Sequence, residues 1–124
     1  MDTLVAAIIE RDGGELLMVR RAQGTWGFPT GLRRPVESYE AAIRRVVRES
    51  LGAEFDIHTG QPPVEGEHDG RKALFRFFLG HVAEDEARPV GIDEIRWMKL
   101  SEIREQALDP LTRKVADWYA EGMG

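Results

Sequence analysis

The sequence predicts an α/β fold, and three observations carry that expectation. Apolar runs rich in Val, Ile and Phe recur at residues 3–9, 16–19 and 72–82, as buried strands do. Two stretches with apolar residues at helical spacing follow Ser38 and Asp109. No internal repeat, low-complexity tract or long linker divides the 124 residues, so residues 1–124 are expected to form one domain with a core that needs no covalent staple.

The first strand is expected over residues 3–9, where Val5, Ile8 and Ile9 favour a buried position. Gly13 and Gly14 supply the backbone freedom for a turn, and residues 16–19 return as the second strand of a hairpin. Arg20, Arg21, Ala22, Gln23 and Gly24 lead into a loop ending at Trp26. After the first helix, residues 53–58 read as a short strand that Gln61-Pro62-Pro63 breaks. Glu65, Glu67, His68 and Asp69 read as an acidic loop, either solvated or open to a hard metal ion. Residues 72–82 hold the largest apolar block, with Phe75, Phe77 and Phe78 in a core role. A polar connection over residues 83–93 precedes Glu94 to Leu100 and then Ser101-Glu102-Ile103. Asp109 as N-cap and Pro110 in the first helical position start a last helix, with Leu111, Val115, Trp118 and Tyr119 as its buried stripe.

Residues 26–53 are the part the rest of the chain serves. Strand end and glycine loop lead into one amphipathic helix, with Ser38 as N-cap and Glu40 in the first turn, where a negative charge complements the dipole. Tyr39, Ala42, Ile43, Val46 and Val47 form one apolar stripe, and Gly52 follows as the stop.

This stretch resembles the Nudix box of the Nudix hydrolase family, G-x5-E-x7-R-E-U-x-E-E-x-G-U, where U is bulky and aliphatic. Gly31, Glu37, Arg45, Val47, Glu49 and Gly52 match at the family spacing. The lead-in from Trp26 through Pro29 to Gly31 is similar to the family's W-x-x-P-G-G, with Thr30 in place of the first glycine. Residues 94–100 resemble the family's late E-x-x-W-x-x-L strand, which would run into a short helix capped by Ser101. The box is degenerate: Val46 and Ser50 stand where the family has glutamates, and Ala53 replaces the final aliphatic residue.

The resemblance implies a Nudix-type α/β/α sandwich with a mixed sheet. It also implies hydrolysis of a nucleoside diphosphate linked to another group, assisted by Mg2+ or Mn2+. Carboxylates at i, i+3 and i+4 on a helix present oxygens on one face, but here those positions read Val46, Glu49 and Ser50. Glu49 is therefore the one catalytic and metal-binding carboxylate of the box, with the Thr30 carbonyl as a second metal donor. One further acid from the late loop, Glu84, Asp85, Glu86, Asp93 or Glu94, could join them, and the sequence does not choose among the five. Glu37 and Arg45 are expected to pair and, with Gly31 and Gly52, to hold loop and helix together. Arg20, Arg21, Arg44 and Arg48 are the candidates for substrate phosphate. Arg33, Arg34, Arg44, Arg45 and Arg48 form a basic cluster around the box that is either a solvated face or a phosphate contact, and both readings stay open.

Two function classes follow: a weak or altered metal-dependent pyrophosphohydrolase, or a non-catalytic module that binds a nucleotide-like ligand or a protein partner. A homodimer is a third, bland possibility. The absence of cysteine excludes disulfides and thiolate metal sites. A formal net charge of −5 gives no general attraction to nucleic acid. No signal pattern and no apolar run of about 20 residues points to a membrane, so a cytoplasmic location is expected. His58, His68 and His81 lie in unrelated segments and receive no catalytic role.

Overall fold

An unbroken buried run from Leu4 to Ile9 makes the first strand the centre of the molecule. The computed structural model describes residues 1–21, 24–83 and 85–121. Along β1 (Asp2–Arg11), alternate side chains enter two different cores. Leu4, Ala6 and Ile8 join one; Val5, Ala7 and Ile9 join the other. A strand covered on both faces has no use for polar alternation, and this one shows none.

β7 (Arg71–His81) runs parallel to β1 from Asp2↔Ala73 to Ile9↔Gly80. On its other edge β1 is shared: β2 (Glu15–Arg20) takes one end and β4 (Thr30–Leu32) the other. β3 (Trp26–Gly27) and β8 (Glu94–Met98) pair with β2. β5 (Asp56–Gly60) and β6 (Val64–His68) pair with successive stretches of β7. One parallel pairing among antiparallel ones makes the sheet mixed, as expected.

Helix α1 (Tyr39–Leu51) covers one face with Ala42, Ile43, Val46, Val47 and Leu51. Ser38 Oγ accepts from the Ala41 N–H at 3.1 Å, and Gly52 closes the helix at φ 66°. Helices α2 (Leu100–Glu105) and α3 (Pro110–Ala120) cover the opposite face through Ile103, Val115 and Ala116. The α/β/α arrangement is therefore the one expected. No helix among the described residues is long and apolar enough to cross a membrane.

Three local expectations are corrected. The strand placed at residues 53–58 begins later, at Asp56, because Ala53 and Phe55 are buried in the α1-side core instead. The acidic stretch around Glu65 is not a loop but β6, closed onto β7 by the turn at Asp69 (φ 53°) and Gly70 (φ 77°). An Asp-Gly pair with both residues at positive φ suits a two-residue hairpin. Ser101 lies inside α2 rather than capping it. The Glu102 carboxylate accepts from the Lys99 N–H at 3.1 Å and fixes the start two residues earlier.

Candidate active site

The loop between β4 and α1 is held by charge. Arg45 donates Nε to Glu37 Oε2 at 2.7 Å and Nη2 to Oε1 at 2.8 Å, the bidentate fork that guanidinium and carboxylate favour. The same Nη2 reaches the Leu32 carbonyl at 2.7 Å, and Nη1 reaches Glu49 Oε1 at 2.9 Å. Backbone joins in: Arg34 N–H donates to Glu37 Oε1 at 2.9 Å. The Arg45 hydrogen bonds, then the Arg34 N–H, hold the Glu37 carboxyl down at about 2. Glu37 in turn raises the pKa of Arg45 above its ordinary value. The expected loop-to-helix pair is present, and one guanidinium gathers Glu37, Glu49 and the loop backbone.

Glu49 is 56% exposed, and Arg34 Nη2 lies 3.9 Å from its second oxygen. Its carboxylate thus stands between two guanidinium groups. Val46 is buried, and its Cγ2 would lie only 2.7 Å from a Cβ at Gly31. Glycine is required there so that the loop can close against the helix. Ser50 is half-buried, and its carbonyl accepts from Val90 N–H at 2.9 Å, while Leu51 accepts from Arg88 N–H at 3.0 Å. The late loop is therefore fastened to the end of α1 by backbone.

The other expected residues are spread out. Arg20 sits across from Glu94 on β8 and pairs with it at 3.2 Å. Arg44 is exposed on α1, and Arg48, also exposed, faces Glu54 at 3.5 Å. Of the late-loop acids, Asp85, Glu86 and Asp93 are exposed, Glu94 is held by Arg20 and Arg96, and Glu84 lies outside the described residues. Among the described residues, no three His, Asp or Glu side chains converge so as to hold a metal ion. Arg21 is placed best for a ligand. It donates to the Phe28 carbonyl at 2.8 Å, lies 3.4 Å from both the Thr30 hydroxyl and Asp109, and lines a cavity of about 800 Å³.

That cavity opens between β4, β6, β7 and the start of α3. Phe28, Phe75 and Phe77 give it aromatic walls; Arg21, Asp109, Lys114 and, from β6, Glu65 and Glu67 bring charge; Thr30, Gly31 and Leu32 join it to the loop held by Arg45. Apolar walls with a few fixed polar groups are the usual make-up of a small-molecule site. From the sequence, Asp109 is expected only to cap the last helix, and Phe75 and Phe77 only to fill the core. Asp109 does cap α3, accepting from Thr112 N–H at 2.8 Å, but its other oxygen also faces Arg21. The alternation of Phe75 and Phe77 on one face of β7 was a readable signal; that α3 leaves this end of the face uncovered was not.

The sequence profile of the NUDIX domain matches residues 2–119. The chain belongs to the Nudix family. It is 50% identical over 88 residues to a CTP pyrophosphohydrolase of Escherichia coli, a match that covers 68% of this chain and 64% of that relative. It is 28% identical to a nucleoside triphosphatase, NudI, of Klebsiella pneumoniae, over 90% of this chain and 91% of that one. Among solved structures, the MutT Nudix hydrolase of Burkholderia pseudomallei superposes with a TM-score of 0.83 at 26% identity, covering 94% of this chain and 95% of that one. The MutT protein of Methanosarcina mazei shares the fold with a TM-score of 0.86 at 23% identity, over 97% and 93% of the two chains. The aromatic cavity opens beside the loop and helix that Arg45 ties together.

Proposed function

We propose that this Nudix protein is a weak or altered pyrophosphohydrolase. Its substrate is a nucleoside diphosphate linked to a further group, a nucleoside triphosphate being the simplest case. The observation that carries the reading is the continuity of cavity and clamp. Leu32 lines the cavity, its carbonyl is held by Arg45, and Arg45 also holds Glu49. A base against the phenylalanines, with Arg21 and Asp109 at its edge, leaves the phosphates to run toward the loop and Glu49. The names of the two relatives, a CTP pyrophosphohydrolase and a nucleoside triphosphatase, point the same way.

The donor set fits one divalent ion held weakly, not a cluster. Glu49 is the box's remaining carboxylate and the Thr30 carbonyl is the proposed second donor, while Val46 offers nothing to a cation. Mg2+ is commonly held by one or two carboxylates together with substrate phosphates, so the substrate completes what the chain lacks. When bound, Mg2+ or Mn2+ offsets phosphate charge and makes water a better nucleophile. Water adds to one phosphorus, the bridging P–O bond breaks, and the bridging oxygen leaves with the next phosphate. Arg34 and Arg45 steady the anionic groups, and the Glu37 pair keeps the loop from shifting.

A second reading, a non-catalytic module for a nucleotide-like ligand or protein partner, is favoured by one observation: Glu49 already faces two guanidinium groups. The test is phosphate and pyrophosphate release from CTP and a panel of nucleoside diphosphate derivatives in Mg2+ and in Mn2+. The enzyme reading expects slow turnover, lowered at least about a hundredfold in Glu49→Gln with Tm unchanged. Nucleotide binding without turnover, at equal affinity in the parent and Glu49→Gln, would replace it with the module.

A further inference from the structure

The end of the sheet beside Tyr119 holds a second cavity, of about 370 Å³, lined among others by His58 and His81. β5 leaves regular register here. Asp56 faces His81 and Ile57 faces Gly80, but Thr59 faces Leu79, so His58 is the extra residue of a bulge. A bulge re-aims a side chain. His58 Nε2 and His81 Nδ1 come to 2.8 Å, and Asp56 Oδ2 lies 3.8 Å from the same His58 nitrogen. The two rings are tilted, with centroids 4.3 Å apart.

A hydrogen bond between two neutral imidazoles uses one N–H and one lone pair. When the donor ring alone takes its other tautomer, both facing nitrogens present lone pairs. A cation between them then relieves the repulsion. Nitrogens about 2.0–2.1 Å from a metal and at right angles around it stand roughly 2.9 Å apart. The bulge has therefore set this pair near the bite of two adjacent metal ligands.

We propose that His58 and His81 form a binding site for a divalent late transition metal of the Ni2+, Cu2+ or Zn2+ class, with Asp56 as the nearest further donor and water completing the shell. Imidazole selects these ions over Mg2+. The cavity lining contains Glu10 and neither lysine nor arginine, so the local charge favours a cation over a phosphate. Ile8 and Leu79 place the site on the face covered by α3, away from α1 and Glu49. Two imidazoles with no third ligand already converged make an open, moderate site rather than a closed structural one. A bound ion would pin β5 to the end of β7.

The experiment uses untagged protein, titrated calorimetrically with Ni2+, and Cu2+ electron paramagnetic resonance of the same material. One equivalent of Ni2+ should bind, and His58→Gln and His81→Gln should each weaken it at least tenfold. Ni2+ should raise Tm in the parent and not in these variants. His68→Gln should bind like the parent, which separates the paired imidazoles from a lone surface histidine. The Cu2+ spectrum of the parent should show two equatorial nitrogens, a reading that needs no variant to fold. A spectrum with one nitrogen or none, or Ni2+ affinity untouched by both glutamine substitutions, overturns the proposal.

Discussion

At the scale of single residues, Arg45 does three jobs with one guanidinium, and pH separates them. The Glu37 carboxyl sits at about 2, against an ordinary 4.5, chiefly because Arg45 donates to it. A carboxyl lowered in the folded state adds stability that is complete above pH 4.5 and is lost as pH falls toward 2. Glu37→Gln removes that dependence. Its Tm is expected to be lower than the parent's at pH 7, and the two curves should converge as thermal melts are repeated at falling pH. Parallel curves would mean that the pair contributes nothing to folding.

Val46 and Ser50 differ more than their shared absence of charge implies. Val46 is 4% exposed and packed against Gly31, whereas Ser50 is half-buried. Glutamate at 46 would bury a carboxylate with no partner, a cost of roughly 3 kcal/mol or more. Val46→Glu should thus lower Tm sharply and Ser50→Glu only slightly. In the double variant, three carboxylates on one helix face call for a cation, so Mg2+ should recover part of the lost Tm and quicken hydrolysis. Calorimetric melts with and without Mg2+ decide it; no Mg2+ effect means that the carboxylates do not converge.

At the scale of elements, α1 was legible in detail because its signals are local. Ser38, Glu40 and Gly52 each act on backbone groups within a turn of themselves. Gly52→Ala puts a side chain at φ 66° and should cost about 1 kcal/mol, read as a shift in the urea midpoint. The Glu37–Arg45 pair was legible too, since loop and helix are adjacent in sequence. β6 was not, because Glu65 and Glu67 read as solvated until β7 offers them an edge to pair with. Ser101 misled for a related reason: a serine before a short helix looks like a cap, but Glu102 reaching back to Lys99 starts the helix sooner. The cavity was the least legible part. Phe28, Phe75, Arg21 and Asp109 come from four segments, and no spacing rule joins them before the sheet exists.

At the scale of the whole molecule, α1 and the aromatic cavity are served by alternate side chains of one strand. β1 sends Val5 toward α1 and Leu4 to the cavity wall, so a change in its register would disturb both at once. The sheet is closed by the parallel pairing of β1 with β7, between residues far apart in the chain. Such contacts are slow to form, since a long loop must close before any of the pairing rewards it. The consequence reaches into biosynthesis. β1, buried from Leu4 to Ile9, leaves the ribosome well before residues 71–81 bring its parallel partner. Ribosome-stalled chains ending before residue 71 should therefore be cut readily by protease and bind chaperones. Chains long enough to expose α3 should resist cleavage. Protection appearing before β7 has emerged would mean that the hairpin of β1 and β2 holds by itself.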